Sequence, residues 1–128
     1  MKIIISPAKK LKEDKRKIDC STNIRFKAET MLLIDKLKSL TLKDISHLMN
    51  ISENLAELNF NRFQSWNLNS KEVNQALFMF DGGVYKSLNA EELNDLDIEF
   101  ASDNLRIISG LYGLLRPLDL IYPYRLEM

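Results

Sequence analysis

Apolar residues recur at helical spacing through the first half of the chain. Between Phe26 and Leu40 they fall close to an i, i+3, i+4 pattern, which predicts an amphipathic helix. Thr41, followed by Asp44 three residues later, predicts the capped start of a second helix. Ser52 predicts the cap of a third helix that runs to Phe63. The buried stripe expected for the second helix consists of Ile45, Leu48 and Met49.

Further cap residues predict short helices in the middle of the chain. Ser70 is expected to cap one helix, and Asn89, paired with Glu92, a second, acidic one. Asp97 is expected to cap a third, which ends before Leu105. The apolar run 76–80 fits either a helix or a buried strand, because five residues are too few to show a period.

Strands are predicted at both ends of the chain. The β-branched run Lys2–Ile5 predicts a buried strand that Ser6-Pro7 terminates. Residues 105–128 predict a second strand followed by a shaped loop, since the loop contains two glycines and two prolines. Gly110 and Gly113 permit a positive φ or a close backbone approach, and Pro117 restrains its own φ and the residue before it. Helices with a few short strands indicate a mixed α/β (α+β) fold.

Size and composition limit the class of protein. A chain of 128 residues with 45% hydrophobic and 28% charged content has the size of one domain, so residues 1–128 are expected to form a single region. Cys20 is the only cysteine, which excludes an internal disulfide and favours a reducing compartment. Apolar runs are too short for a membrane span or a secretory signal. We therefore expect a cytoplasmic protein with no membrane partner.

Charge is unevenly distributed although the formal net charge is zero. Residues 1–38 carry a net charge of +6, residues 39–104 carry −7 and the remainder carries +1. The basic start is compatible with an anionic partner, and equally with a solvated charged surface.

Candidate chemistry lies after the two predicted strands. Lys9 follows the first strand, at the end where open α/β sheets place ligands, and is a candidate anion contact. Arg116, Asp119 and Arg125 follow the second strand, together with three tyrosines. The alternative is structural, with packed tyrosines and with arginines paired to Asp119 and Glu127. No dinucleotide, P-loop, zinc or nucleophile-elbow spacing is present, so no metal and no cofactor are expected.

The second and third predicted helices resemble a helix-hairpin-helix element over residues 45–63. Such elements bind a DNA phosphate through free backbone N–H groups, without reading bases. Asn50, Ile51 and Ser52 form the hairpin here. Glu53 and Glu57 are poorly suited to a polyanion, so an ordinary αα-corner remains the alternative.

Three motifs resemble the YaaA family of bacterial peroxide-stress proteins. They are SPAK at 6–9, FDGGVY at 80–85 and SGLYGLLRPLDLIYPYRLEM at 109–128. Family members are about twice this length, so the chain resembles their N-terminal half. The resemblance implies a cytosolic protein that lowers unincorporated iron under peroxide and binds DNA through a helix-hairpin-helix element and a positively charged cleft. The matching cleft or motif positions are Ser6, Lys9, Tyr85, Ser109, Tyr112, Arg116, Asp119, Tyr124 and Arg125.

Three functional hypotheses follow. The first is sequence-independent DNA binding, in which the hairpin amides hold one phosphate while Lys9, Arg116 and Arg125 line a cleft. The second is an enzyme acting on a nucleotide-like or other anionic small molecule, with Asp119, Tyr112 or Tyr124 transferring protons. The third is direct iron coordination, which one histidine and scattered carboxylates support poorly. The oligomeric state is left open.

Overall fold

A three-stranded sheet joins the two ends of the chain in the computed structural model, which describes residues 2–12 and 14–126. Strand β1 (Ile3–Ile5) lies parallel to β5 (Leu105–Ser109), and β5 pairs antiparallel with β6 (Gly113–Leu115). Ile5 is opposite Ile107, which in turn is opposite Leu115. The opening and closing segments are therefore neighbours, and a strand forms at each end of the chain as predicted.

Two shorter antiparallel pairs attach the rest of the chain to this sheet. Strand β2 (Lys10–Leu11) pairs with β4 (Phe80–Asp81), and β3 (Asn74–Gln75) pairs with β7 (Leu120–Ile121). The helices are α1 (Lys27–Lys38), α2 (Leu42–Met49), α3 (Glu53–Gln64), α4 (Ala76–Met79), α5 (Gly83–Leu88) and α6 (Asp95–Asn104), with a 3-10 turn at Ala90–Glu92. The mixed α+β prediction is confirmed.

Local capping signals in the first half of the chain are confirmed. The Thr41 hydroxyl accepts from the Asp44 N–H, and the Asp44 carboxylate accepts from the Thr41 N–H, which completes a capping box. Ser52 accepts from the Leu55 N–H at the start of α3. Phe63 and Trp66 are buried at the other end of α3.

Four expectations about the helices are wrong. Leu48 is exposed on α2, because the 8-residue helix buries only Ile45 and Met49. Ser70 forms a turn with the Glu72 N–H and no helix follows it. Asn89 ends α5 in a left-handed conformation and makes no side-chain cap. Helix α6 is capped by Asn94, with Asp97 at the third position of its capping box.

The apolar run 76–80 forms both structures that its sequence allowed. It makes one helical turn, α4, and then enters β4 at Phe80. Two backbone hydrogen bonds fix that turn, from Ala76 N–H to the Asp119 carbonyl and from Leu77 N–H to the Pro117 carbonyl, both 2.9 Å. All five side chains of the run are fully buried.

Candidate anion-binding site

A depression of about 250 Å³ lies where β1 ends. The loop after β1 forms one wall, and the segment after β7 forms the other. Its lining residues are Ser6, Pro7, Ala8, Lys9, Tyr124, Arg125 and Leu126. Lys9 and Arg125, predicted as anion contacts from opposite ends of the sequence, thus line the same depression. We call it the strand-end depression.

The loop wall is fixed by the turn between β4 and α5. The Tyr85 hydroxyl donates to the Ser6 carbonyl at 2.6 Å, and the Tyr85 ring lies 5.4 Å from the Phe80 ring centre. A Cβ at Gly82 would lie 3.2 Å from the Ala8 Cβ, so the two segments pack closely. Two segments some 75 residues apart in sequence therefore support the position of Lys9.

The other wall rests on a buried network of hydroxyl groups. The Tyr124 hydroxyl is 2.6 Å from Ser109 Oγ, which also accepts from the Tyr112 N–H. The Tyr112 hydroxyl in turn bonds Trp66 Nε1 at 2.9 Å and both backbone groups of Tyr122. The rings of Tyr112 and Tyr124 meet edge-on at 5.0 Å. This network holds the backbone that carries Arg125.

Burial keeps these tyrosines protonated. It raises the pKa of Tyr124 to about 12, partly offset by the hydrogen bond to Ser109. Burial also raises the pKa values of Tyr112 and Tyr85 above that of an exposed tyrosine. Near neutral pH the phenols are therefore protonated and serve as hydrogen-bonding groups within this network.

Asp119 holds a turn and does not line the strand-end depression. Its carboxylate is fully buried and accepts from Thr22 Oγ1 at 2.5 Å, from Arg116 N–H at 2.8 Å and from Arg116 Nε at 3.0 Å. Pro117 occupies the second position of this turn, where its fixed φ suits the geometry, and the Asp119 N–H donates to the Arg116 carbonyl. These contacts agree with the structural alternative, in which an arginine pairs with Asp119.

Arg116 is not brought to the strand-end depression. Its guanidinium bonds Asp119 and the Asn23 carbonyl. It lines a different depression, together with Arg25 and Arg106, that shares no residue with the first. The cleft wall predicted from three cations therefore contains Lys9 and Arg125 only.

The turn between β5 and β6 contains the two glycines singled out in the sequence. Gly113 adopts a φ of 75°, and a Cβ there would approach the Phe26 ring to 3.0 Å, so the position favours glycine. Gly110 lies in the same turn. These glycines shape the backbone next to Ser109.

The hairpin between α2 and α3 forms as a tight left-handed turn. Asn50 has φ 51° and ψ 55°, and its N–H donates to the Ser46 carbonyl. The Ile51 N–H donates to the same carbonyl, and Ser46 Oγ returns a bond to the Ile51 carbonyl. Ser52 caps α3 as described. The adjacent depression is lined by Leu42, Lys43, Ser46, His47, Glu53, Ala56 and Glu57.

Comparison with known proteins identifies the family. The model of the peroxide stress protein YaaA family matches residues 1–128. The chain belongs to the YaaA family. A UPF0246 protein of Saccharophagus degradans is 49% identical over all of this chain and 51% of its own length. A UPF0246 protein of Teredinibacter turnerae is 47% identical over 51% of its length, and one of Burkholderia orbicola 44% over 50%. The chain thus spans about half the length of these YaaA relatives.

Two of the YaaA motifs are in direct contact in the structure. SPAK and FDGGVY meet at the Tyr85–Ser6 bond, and the third motif supplies the opposite wall of the depression. Sequence reasoning missed the hydrogen bonds of Thr22 and Trp66, whose partners lie 97 and 46 residues away. Neither residue belongs to a motif, so no local signal pointed to these bonds.

Within residues 2–12 and 14–126, no group of three or more His, Cys, Asp or Glu side chains is arranged to hold a metal ion. No helix in that same part is long and apolar enough to cross a membrane.

Proposed function

We propose that this chain contributes to a peroxide-stress protein that binds DNA phosphates at the strand-end depression, without reading base sequence. The proposal is based on the positions of Lys9 and Arg125, which both line one small depression. Lysine and arginine are the side chains that most often contact phosphate oxygens, and a depression of about 250 Å³ accommodates one phosphate group. The protein would act in the cytoplasm. Its activity there would lower the concentration of free intracellular iron.

The hairpin is proposed as a second phosphate contact. The N-terminus of the 12-residue helix α3 presents unbonded backbone N–H groups, and the left-handed Asn50 and the Ser52 cap keep that end ordered. Glu53 and Glu57 border the adjacent depression and oppose a polyanion. We therefore assign the larger share of binding to Lys9 and Arg125.

The test uses a matched pair of neighbouring lysines. Lys9 lines the strand-end depression, whereas Lys10 is 77% exposed in its side chain and approaches Asp81 at 3.9 Å. In the full-length Saccharophagus degradans relative, the position aligned with Lys9 is changed to alanine and duplex binding is followed by fluorescence anisotropy at several salt concentrations. We expect Kd to rise by about 3- to 10-fold on duplexes of any sequence and the salt slope to fall by about 1.

The control at the position aligned with Lys10 should leave Kd within about twofold. Equal weakening by both variants would reduce the effect to general surface charge and contradict the proposal. A full-length protein that shows no salt-sensitive DNA binding would also contradict it.

A second candidate function is an enzyme acting on a nucleotide-like or other anionic small molecule. The small size of the strand-end depression, and the buried tyrosine in its lining, favour it. The measurement is a thermal shift with a panel of nucleotides and inorganic phosphate. A stabilisation that Lys9→Ala removes while DNA binding stays intact would favour this enzyme over the DNA-binding protein.

A further inference from the structure

The three-stranded sheet has one covered face and one open face. Because side chains alternate along a strand, the paired residues Ile5, Ile107 and Leu115 share a face, which packs against the main hydrophobic core. Ile4, Arg106, Ile108 and Leu114 share the opposite face. Neither Ile4, Ile108 nor Leu114 belongs to the two hydrophobic clusters of the described residues. We call this second side the open face.

Three of the four residues named on the open face are apolar, and the fourth, Arg106, directs its guanidinium to the Ser102 and Leu105 carbonyls. Ile4 is 60% exposed and Ile108 39%, and Ile108 lies directly opposite the half-buried Leu114. Ile4 is a diagonal neighbour of Ile108, since it pairs with the residue two positions earlier. Scattered exposed apolar residues are ordinary, but three adjacent ones on a single sheet face form a patch.

The sequence of β1 predicts that both of its faces are buried. An unbroken run of three isoleucines is typical of a strand covered on both sides, whereas a half-exposed strand alternates apolar with polar residues. The prediction that β1 is buried is wrong for this chain taken alone, because β1 lies at the sheet edge with one face open. Sequence and structure agree once another element covers that face.

The YaaA relatives are longer than this chain. It matches about half of their length, and the other half lies outside the match. We propose that the open face is the docking surface for that unmatched half, which covers Ile4, Ile108 and Leu114 with apolar side chains. Parallel strands such as β1 and β5 are generally covered on both faces, and the unmatched half of the relatives is the segment available to cover them.

The test places a charge in the proposed interface. Lysine replaces the residues of the full-length Saccharophagus degradans relative that align with Ile4 and Ile108, and the midpoint of thermal unfolding is measured. We expect each variant to lower Tm by about 5 °C or more, since an interface that excludes water would have to accommodate an ammonium group. The control is lysine at the position aligned with Leu32, which is exposed on α1, and it should lower Tm by no more than about 2 °C.

A companion measurement uses this 128-residue chain. Ile4→Lys and Ile108→Lys should leave its Tm within about 2 °C, because both side chains already contact water. Unchanged Tm values in the full-length variants would overturn the proposal. So would a dimer of this chain that Ile4→Lys converts to a monomer in sedimentation, since a second copy would then cover the face. If the short chain shows no cooperative transition, the full-length variants decide the question.

Discussion

The helical hairpin and the closing segment both depend on polar side chains, but the partners lie at different distances along the chain. In the hairpin, residues 41–64, the caps Thr41 and Ser52 bond groups three residues away. In the closing segment, residues 105–126, Asp119 reaches Thr22 and Tyr112 reaches Trp66. The caps of the hairpin are thus local contacts at exposed positions, whereas the polar contacts of the closing segment tie distant parts of the chain together in the interior.

This difference explains why the closing segment has the composition of a reaction site although Asp119 and Tyr112 make contacts within the protein. Tyrosines, arginines and an aspartate close together in sequence are typical of active sites, and they are equally typical of buried polar networks. Only the hydrogen-bond partners distinguish an active site from a buried polar network. Here Asp119 and Tyr112 bond to other groups of the protein. We therefore expect substitutions in the closing segment to cost more stability than substitutions in the hairpin.

The largest expected effect is that of Asp119→Ala. The change removes a fully buried acceptor and leaves Thr22 and the Arg116 turn without their common partner. We expect the free energy of unfolding to fall by about 3 kcal/mol, measured by urea denaturation. Asp35→Ala, at an exposed position of α1, should change it by no more than about 0.5 kcal/mol. A small effect at Asp119 would mean that the turn is held by Pro117 and the backbone alone.

Local patterns allowed much of the backbone to be predicted. The bounds of the first three helices and a strand that begins at Leu105 follow from periodicity, capping and glycine placement, which act over a few residues. Segments 70–75 and 89–97 were predicted less well. The turn at Ser70 leads into β3, which pairs with a strand 45 residues away, and this long-range pairing overrides the local helix signal.

Only part of the candidate site was predicted, because the rest also depends on long-range contacts. Lys9 follows β1 and Arg125 follows β7, and the parallel pairing of β1 with β5 places the opening segment beside the closing segment that contains β7. Arg116 follows β6, but the turn to Asp119 directs its guanidinium towards Asn23. No sequence pattern encodes that direction, because it depends on the loop around Thr22.

The second effect concerns alkaline pH. The folded-state pKa of Tyr124, about 12, exceeds the unfolded value near 10, so the folded state binds more protons between these pH values. Stability is therefore complete below about pH 10 and falls as pH rises, with a contribution from Tyr124 of roughly 2 kcal/mol by pH 12. Denaturation of the wild type and of Tyr124→Phe at pH 8, 10 and 11.5 checks this. The variant should show the shallower decline, and parallel declines would mean that Tyr124 ionises with little hindrance.

The third effect is that of Tyr112→Phe. The lost hydroxyl bonds Trp66 Nε1 and the N–H and carbonyl of Tyr122, so buried polar groups lose their partner. We expect a loss of about 1.5 kcal/mol in unfolding free energy, with a change in the emission of the single tryptophan. Tyr122→Phe is the matched control, because within residues 2–12 and 14–126 no hydrogen bond from its hydroxyl is found. If both variants lose equal stability, the Tyr112 network is not what holds this wall.

The smallest expected effect lies in the hairpin, with Ser52→Ala. The change removes one bond, from the Leu55 N–H at 3.3 Å, at an exposed helix end where water replaces the lost acceptor. We expect a loss of about 1 kcal/mol, and Ser21→Ala, at an exposed position outside the helices, should be near neutral. Urea denaturation of both variants and of Asp119→Ala under the same conditions compares the losses of unfolding free energy in the two regions. A cap effect as large as that of Asp119 would mean that α3 transmits its N-terminal order to the buried Phe63 and Trp66, and the distinction between a local hairpin and a long-range network would fail.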